Sequence, residues 1–363
     1  MPEHDLPESN LEIINLERPK PSDPGKPAFL SAQVLPGRGM MTLQIRALLP
    51  RVGETDLLYA PSSDRAREML GGGPRDFPGN PSYLIGGAVL IPYANRIRGA
   101  LSPDGKTVET RILGKTVHLP ANAGGRRPGA EQYAMHGLVL DAPMDEVRRR
   151  TSDEEDAVVA FLQAGDFGGR WPSAAELTFE NVLRSDSFNL TIRARNVGSE
   201  PLPMGIGWHP YFNLPSGRRG QARMHIPARS RALVNDYDEV LPTGEVVPVA
   251  GTPYDFSMPG GKPLGNLYLD DCFVDLQGTP GQAVAEVVDG EAAYGLRVVA
   301  ASPPIRAFQV YGPPEKDFIV LEPQFNWADP FGAQWGPGVD TGMAVLEPGE
   351  SVVYSARLEL FVP

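Results

Sequence analysis

Apolar and polar residues alternate along much of this chain, as they do in β-strands that bury one face. The segment SFNLTIRARN, residues 187–196, puts four apolar side chains on one face: Phe188, Leu190, Ile192 and Ala194. The polar residues between them would lie on the opposite face. The closing segment repeats the pattern with Val352, Tyr354, Ala356, Leu358 and Leu360. Each of these two segments therefore predicts a half-buried strand.

Similar apolar runs predict strands through the rest of the chain. They are AFLSAQVL, MMTLQIRALL, SYLIGGAVLIPY, KTVHL, AVVAFLQ, AELTFENVL, CFVDL, AFQVY and DFIVLEP. Between AVAEVV and AAYGLRVV, the pair Asp289-Gly290 predicts a tight hairpin turn that needs a positive φ. A short helix is predicted for SDRAREML, with Ser63 as its N-terminal cap.

Glycine and proline, with 40 and 38 residues, are spaced as turns between these strands and do not cluster as a linker. The chain shows no internal repeat and no low-complexity block, and 363 residues suffice for one large β domain. We therefore predict an all-β fold, a large antiparallel β-sandwich. It is expected to form a single domain over residues 1–363, with residues 1–25 as an extended N-terminal segment.

Charge and composition narrow the classes of partner. The net charge of −12 argues against nucleic acid or an anionic membrane, because both require a surplus of Lys and Arg on one face. No apolar run reaches the roughly 20 residues that cross a bilayer. The start, MPEHDLPESN, lacks the basic head and apolar stretch of a signal peptide. We expect a cytoplasmic protein, or a periplasmic one if a signal has been trimmed, and the single Cys272 allows no internal disulfide.

Several short motifs carry the candidate chemistry. His209 stands among aromatic residues in GIGWHPYFNL, where an imidazole is either a satisfied core residue or a proton donor facing a pocket. Glu322 ends the apolar run FIVL, so its carboxyl group is expected to be partly buried, and burial raises a carboxyl pKa. The other motif residues are Asn95 and Arg96 in PYANRIRG, His136 in AMHGLVLD, Asp270 and Asp271 in LDDCF, and Gln309 in AFQVYG. Taken singly, Asn95 and Arg96 are explained by the end of a strand, and His136 by a loop. Asp270 and Asp271 predict a turn that opens a strand.

In this order the motifs resemble those of the aldose 1-epimerase (galactose mutarotase) family. The resemblance runs from GGAVLIPYANRIRG to the terminal AVLEPGESVVYSARLEL. It implies the galactose mutarotase type of β-sandwich, with Glu322 as catalytic base and His209 as catalytic acid. It also implies that further residues hold the sugar hydroxyls: Asn95, Arg96, His136, Asp270 and Gln309.

The reaction of that family explains the need for two such groups. A base removes the proton from the anomeric hydroxyl O1 while an acid protonates the ring oxygen O5, the ring opens, and it recloses on the other face. This chemistry requires no cofactor and no metal. Ionised Asp270 would accept hydrogen bonds from sugar hydroxyls. Three aromatic residues are candidates for the pocket wall, Trp208, Tyr211 and Trp327, although core packing explains aromatic residues more often.

Two other functions stay open at this point. A hexose-6-phosphate 1-epimerase would share the acid and the base and add cations for the phosphate, for which Arg98, Arg126 and Arg127 are sources. A non-catalytic carbohydrate-binding β-sandwich would need no acid–base pair. A glycosidase is disfavoured because it needs two acidic residues on either side of the scissile bond, and Glu322 is the one acidic residue whose motif indicates a catalytic role. The expected partner is a small aldose, bound by a monomer or a homodimer.

Overall fold

A computed structural model describes residues 11–71 and 79–363, and the counts below refer to these residues. The initial segment MPEHDLPESN, on which the prediction about a signal peptide rests, therefore lies outside the described residues. The first strands are β1 (Ile14–Glu17), β2 (Ala28–Leu35), β3 (Met41–Leu49), β4 (Gly53–Asp56), β5 (Gly87–Leu90), β6 (Arg96–Ile97), β7 (Ala100–Leu101), β8 (Thr107–Ile112), β9 (Lys115–Pro120), β10 (Ala123–Gly124), β11 (Gln132–Met135), β12 (Glu146–Thr151), β13 (Asp156–Gly165) and β14 (Ala175–Leu183). The others are β15 (Ser187–Asn196), β16 (Leu202–Met204), β17 (Gly207–Asn213), β18 (Arg223–His225), β19 (Ala228–Val234), β20 (Pro242–Pro248), β21 (Lys262–Pro263), β22 (Leu269–Leu276), β23 (Ala283–Asp289), β24 (Tyr294–Ala300), β25 (Ala307–Gly312), β26 (Phe318–Gln324), β27 (Ala344–Leu346) and β28 (Ser351–Phe361).

Two large antiparallel sheets dominate the described chain, which confirms the predicted all-β sandwich. The first has eleven strands in the order β1-β2-β3-β5-β17-β26-β25-β22-β19-β20, with β4 paired to β3. The second has nine, in the order β12-β13-β14-β15-β28-β24-β23-β18-β21. Aromatic contacts join their inner faces, since the ring centroids of Phe188 and Trp208 are 6.0 Å apart and those of Phe325 and Tyr354 are 5.7 Å apart.

Two local predictions need correction. The helix α1 spans Ser63–Leu70 as predicted, but Ser62 caps it, because the Ser62 hydroxyl accepts a hydrogen bond from the Arg65 amide. The hairpin between β23 and β24 is present, but its loop has four residues, 290–293. The left-handed residue is Ala293, with φ 48°, instead of Gly290. No helix of the described chain is long and apolar enough to cross a membrane.

The alternation within β17 decides which side chains face the sheet core and which face outward. Trp208 and Phe212 are fully buried and contact each other on the core side, with centroids 6.4 Å apart. His209 and Tyr211 lie on the opposite face because successive strand residues point to opposite sides. The candidate acid His209 therefore lies on the outer face of the eleven-stranded sheet, while Trp208 beside it packs in the core.

Candidate active site

The candidate site is assembled by strand register on the outer face of the eleven-stranded sheet. Pairing of Gly207 with Gln324 and of Tyr211 with Val320 places His209 opposite Glu322 between them. Glu322 in turn pairs with Gln309 on β25. His209, Glu322 and Gln309 therefore form one transverse row across three neighbouring strands, since paired residues point to the same face.

His209 and Glu322 form a buried pair at the floor of this site. His209 Nε2 lies 3.3 Å from Glu322 Oε1, and the two side chains are 6% and 1% exposed. Burial lowers the pKa of His209 to about 4, and the nearby Arg96 charge acts in the same direction. Burial raises the pKa of Glu322 well above its ordinary value, reinforced by Asp270 and opposed by Arg96. Glu322 Oε2 and His209 Nδ1 have no partner inside the described protein.

Four side chains beside this pair close a ring of hydrogen bonds. Asn95 Nδ2 donates to Gln309 Oε1 at 3.0 Å, and Gln309 Nε2 donates to Asp270 Oδ1 at 2.7 Å. Arg96 donates to Asp270 Oδ2 at 3.4 Å and to Asn95 Oδ1 at 2.7 Å, which completes the ring. Burial raises the pKa of Asp270, and Arg96 and Gln309 oppose that effect. Each member orients its neighbours, so the ring presents a preorganised polar wall.

His136 enters the site from a strained loop. His136 and Asn95 both have left-handed backbones, with φ 64° and 63°, and the His136 amide donates to the Asn95 carbonyl at 2.9 Å. Gly137 follows with φ 87°, and a side chain there would meet the Ile91 carbonyl at 2.2 Å, so the close approach requires glycine. The His136 ring stands edge-on to His209, with centroids 5.0 Å apart. Burial lowers the His136 pKa, and neighbouring His209 and Arg96 lower it further.

The structure brings all eight sequence-predicted site residues around one pocket of about 170 Å³. They are Asn95, Arg96, His136, His209, Tyr211, Asp270, Gln309 and Glu322. Two predicted wall residues lie elsewhere, because Trp208 is in the sheet core and Trp327 lines a separate cleft. Asp270 and Asp271 belong to β22 itself and do not form a turn before it. The described chain holds no group of three His, Cys, Asp or Glu side chains arranged for a metal ion.

Four further residues line the pocket but were not predicted from the sequence: Tyr83, Leu84, Met135 and Tyr311. Tyr311 had a usable signal, since it stands two residues after Gln309 on the same strand and so shares its face. Tyr83 accepts a hydrogen bond at its carbonyl from the Tyr211 hydroxyl, at 2.9 Å. Tyr83 and Leu84 lie in a short 3-10 helix, Asn80–Leu84, and Met135 ends the short strand β11, and no periodicity in the sequence directs these residues to the pocket.

Comparison with known families decides the family of this chain. The aldose 1-epimerase family model matches residues 58–359, which include every residue of the pocket. The chain belongs to the aldose 1-epimerase family. This membership confirms the resemblance seen in the motifs and agrees with the sandwich fold. The name of the family refers to sugars of the aldose class.

Individual relatives of this aldose 1-epimerase family member are distant. A maltose epimerase of Levilactobacillus brevis is 30% identical over 205 residues, which cover 54% of this chain and 55% of that protein. The human galactose mutarotase is 30% identical over 192 residues, 51% of this chain and 49% of that protein. The chain thus spans about half the length of these two relatives. A galactose mutarotase-like protein of Clostridium acetobutylicum shares the fold, with a TM-score of 0.72, 18% identity, and coverage of 98% of this chain and 100% of that one.

Proposed function

We propose that this protein interconverts the α and β anomers of a free, neutral aldose, with Glu322 and His209 as its acid–base pair. The observation that carries this proposal is the 3.3 Å contact between His209 Nε2 and Glu322 Oε1 in a buried pocket. A protein that only binds sugar has no use for this pair, because burying two titratable groups costs free energy. The pocket wall supplies the remaining polar groups for hydroxyl recognition.

In the proposed reaction, the Glu322 carboxylate accepts the proton of O1 while the His209 imidazolium donates a proton to O5. The C1–O5 bond breaks and an open-chain aldehyde forms, which rotates about C1–C2. Closure on the other face of the carbonyl returns both protons. The sugar neither gains nor loses a proton overall, so the pair holds one proton throughout.

The site electrostatics suit these roles. A raised pKa makes the Glu322 carboxylate a stronger base than an ordinary carboxylate, and a lowered pKa makes the His209 imidazolium a stronger acid. The same shifts favour the neutral form of the pair before substrate enters, with the proton on the carboxyl group. Sugar hydroxyls that bind Glu322 Oε2 would help to stabilise the ionised form.

The arginines considered as sources of a phosphate site are already paired with carboxylates, which favours a neutral sugar over a 6-phosphate. Arg98 makes two hydrogen bonds to Glu131, at 2.8 and 2.6 Å. Arg126 and Arg127 both pair with Asp238, at 3.3 and 3.2 Å. Arg96 faces Asp270. The two relatives named above are a maltose epimerase and a galactose mutarotase, and both of these sugars are neutral.

Polarimetry of freshly dissolved α-glucose, α-galactose and glucose 6-phosphate tests this proposal. We expect the protein to accelerate the decay for the neutral hexoses, with a lower kcat/KM for the phosphate because the net charge of −12 opposes a dianion. A higher kcat/KM for the phosphate that Arg126→Ala selectively removes would overturn the neutral-sugar assignment. Lack of acceleration for every aldose tested would overturn the epimerase proposal itself.

The pH dependence of kcat/KM tests the state of the pair. We expect a plateau across neutral pH on which the pair carries one proton. Activity should fall on the acid side near pH 4, where the imidazole takes up a proton while the carboxyl group keeps its own. It should fall on the alkaline side well above the ordinary carboxyl pKa, where the pair loses its last proton. The measurement subtracts the uncatalysed rate at each pH, and an acid limb near the ordinary histidine value of about 6.5 would contradict the buried-pair assignment.

A further inference from the structure

The two halves of the hydrogen-bonded ring beside the acid–base pair belong to different sheets. Gln309 and Asp270 lie on β25 and β22 of the eleven-stranded sheet, which also carries Glu322 on β26. Asn95 directly precedes β6 and Arg96 begins it, and β6 pairs with β11 in a separate three-stranded sheet. In the described part of the chain, no strand pairing therefore fixes Asn95 and Arg96 against the other half of the ring.

The Asn95 backbone explains how two consecutive residues reach the same ring. Consecutive side chains of an extended strand point to opposite faces, yet Arg96 donates to Asn95 Oδ1 at 2.7 Å. Asn95 is left-handed, with φ 63°, a conformation that costs an L-residue free energy although Asn tolerates it better than most. Such a backbone persists only where surrounding contacts hold it. The geometry of the ring therefore depends on the contacts of the main chain around Asn95.

Asn326 holds the main chain directly before Asn95. It follows β26 by two residues and is fully buried. Its Oδ1 accepts a hydrogen bond from the Ala94 amide at 3.0 Å, and its Nδ2 donates to the Ala94 carbonyl at 2.9 Å. Ala94 is fully buried as well. Removal of the Asn326 amide would therefore take a partner from two buried main-chain groups, which favours a shift of the segment.

Asp329 extends this contact along the segment. Its amide donates to the Arg96 carbonyl at 2.6 Å, and its Oδ1 accepts a hydrogen bond from the Arg98 amide at 3.0 Å. Residues 326–329 therefore bind alternate residues of the segment 94–98 through the main chain. Because 326–329 continue directly from β26, they set the place of this segment relative to Glu322.

Gly205 makes room for the Asn326 amide. A Cβ at Gly205 would lie 2.0 Å from Asn326 Oδ1, far inside contact distance, and 2.9 Å from the flexible Met343 side chain. The backbone of Gly205 is not left-handed, so its need for glycine comes from this close approach. Substitution of Gly205 therefore displaces the Asn326 amide without changing Asn326 itself.

We infer that Asn326, seated against Gly205, is a positioning residue of the active site, which sets the place of Asn95 and Arg96 through the main chain of Ala94. This inference rests on the proposed function, because it assigns Asn95 and Arg96 to a pocket that holds the sugar. Asn326 does not line that pocket. It therefore acts on catalysis without touching the substrate.

Displacement of Arg96 would also change the charge around the acid–base pair. The Arg96 cation lowers the pKa of both Glu322 and His209. Other titratable side chains line the same pocket in the wild type and the variants: Tyr83, His136, Tyr211, Asp270 and Tyr311. Withdrawal of Arg96 raises both pKa values, so both limbs of the pH profile of kcat/KM should move to higher pH.

Polarimetry of the wild type, Asn326→Ala, Gly205→Ala and the double variant tests the inference, with the aldose on which the wild type is most active. We expect each single variant to lower kcat/KM about 10- to 100-fold, the size typical of misplaced binding groups, and to move both pH limbs upward. The double variant should lie within about threefold of the less active single variant, because both changes act through one contact. Gly205→Ala carries the same measurements if Asn326→Ala does not fold.

Asn196→Ala and Gly290→Ala are the matched controls. Asn196 is also fully buried and donates to two main-chain carbonyls, those of Glu200 and Leu346, at 2.8 Å each, but it does not line the pocket. An added Cβ at Gly290 meets no atom within 4 Å. Asn196→Ala should lower the melting temperature, and both controls should keep the wild-type kcat/KM and pH profile.

A crystal structure of Asn326→Ala adds a measurement that does not depend on activity. The hydrogen bond between Asn95 and Gln309 should be lost, and a ring unchanged from the wild type would overturn the inference. Wild-type kcat/KM and pH profile in folded Asn326→Ala, or an equal loss of kcat/KM in Asn196→Ala, would overturn it as well. So would a double variant whose loss is the product of the two single losses, since Gly205 would then act by another route. Inactivity of the wild type on every aldose would instead defeat the proposed function.

Discussion

Replacing Glu322 with Gln is expected to lower kcat/KM for mutarotation by a factor of about 10² to 10⁴, the contribution typical of a general base. Gln keeps the size of the side chain and can still hydrogen-bond with His209 Nε2, but it cannot accept the proton of O1. The initial polarimetric rate with α-glucose, or with the most active sugar found, measures the effect. Glu245→Gln, the same change at an exposed position, should retain the wild-type rate.

The same variant should be more stable than the wild type at neutral and alkaline pH. Because burial raises the pKa of Glu322 above its unfolded value, the wild type loses stability as pH rises from the unfolded pKa through the folded one. Gln has no such loss, so the difference in melting temperature between the variant and the wild type should grow with pH. Full activity in a folded Glu322→Gln variant would show that another group is the base.

Replacing His209 with Asn is the second change with a large expected effect. Asn cannot donate a transferable proton to O5, so we again expect a loss of about 10² to 10⁴ in kcat/KM. His118→Asn, at an exposed histidine, is the control and should behave as the wild type. The comparison uses the same polarimetric assay.

Stability against acid tests whether His209 is buried as a neutral imidazole. Burial lowers the folded pKa of His209 to about 4, so the wild type loses stability as pH falls from the ordinary histidine range toward that value. His209→Asn should lose less stability over the same range, although the smaller side chain lowers stability at neutral pH. A folded variant that keeps both the wild-type rate and the wild-type acid sensitivity would contradict the assignment of His209.

The strand pattern explains why so much of the site was predictable. His209 and Tyr211 share a face of β17, as Gln309 and Tyr311 share a face of β25, because side chains alternate along a strand. A polar residue that alternates with core residues along such a strand therefore lies on the outer face of the sheet. Short motifs of this kind can be recognised in a single sequence, and so can the position of Glu322 at the end of the apolar run FIVL.

Other features depended on contacts between distant segments. The hydrogen bond from Asn95 to Gln309 joins residues 214 positions apart, and no pattern in either segment predicts it. The same holds for the pairing of Arg126 with Asp238, which turns an exposed cation into a neutralised one. The contact between Tyr268, directly before β22, and Tyr311 on β25 likewise depends on a strand pairing that the sequence does not predict.

The sequence by itself determined the all-β class, the family and eight of the residues that line the candidate pocket, because alternation and short motifs are local properties of the chain. The tertiary structure alone decided how deeply His209 and Glu322 are buried and that the hydrogen bonds around Asp270 close into a ring. It also decided the direction of the His209 pKa shift, since burial lowers a histidine pKa, a neighbouring carboxylate raises it, and only the packed environment settles which effect is larger. Burial and charge pairing belong to positions that folding brings together from distant strands, and a linear pattern does not contain them.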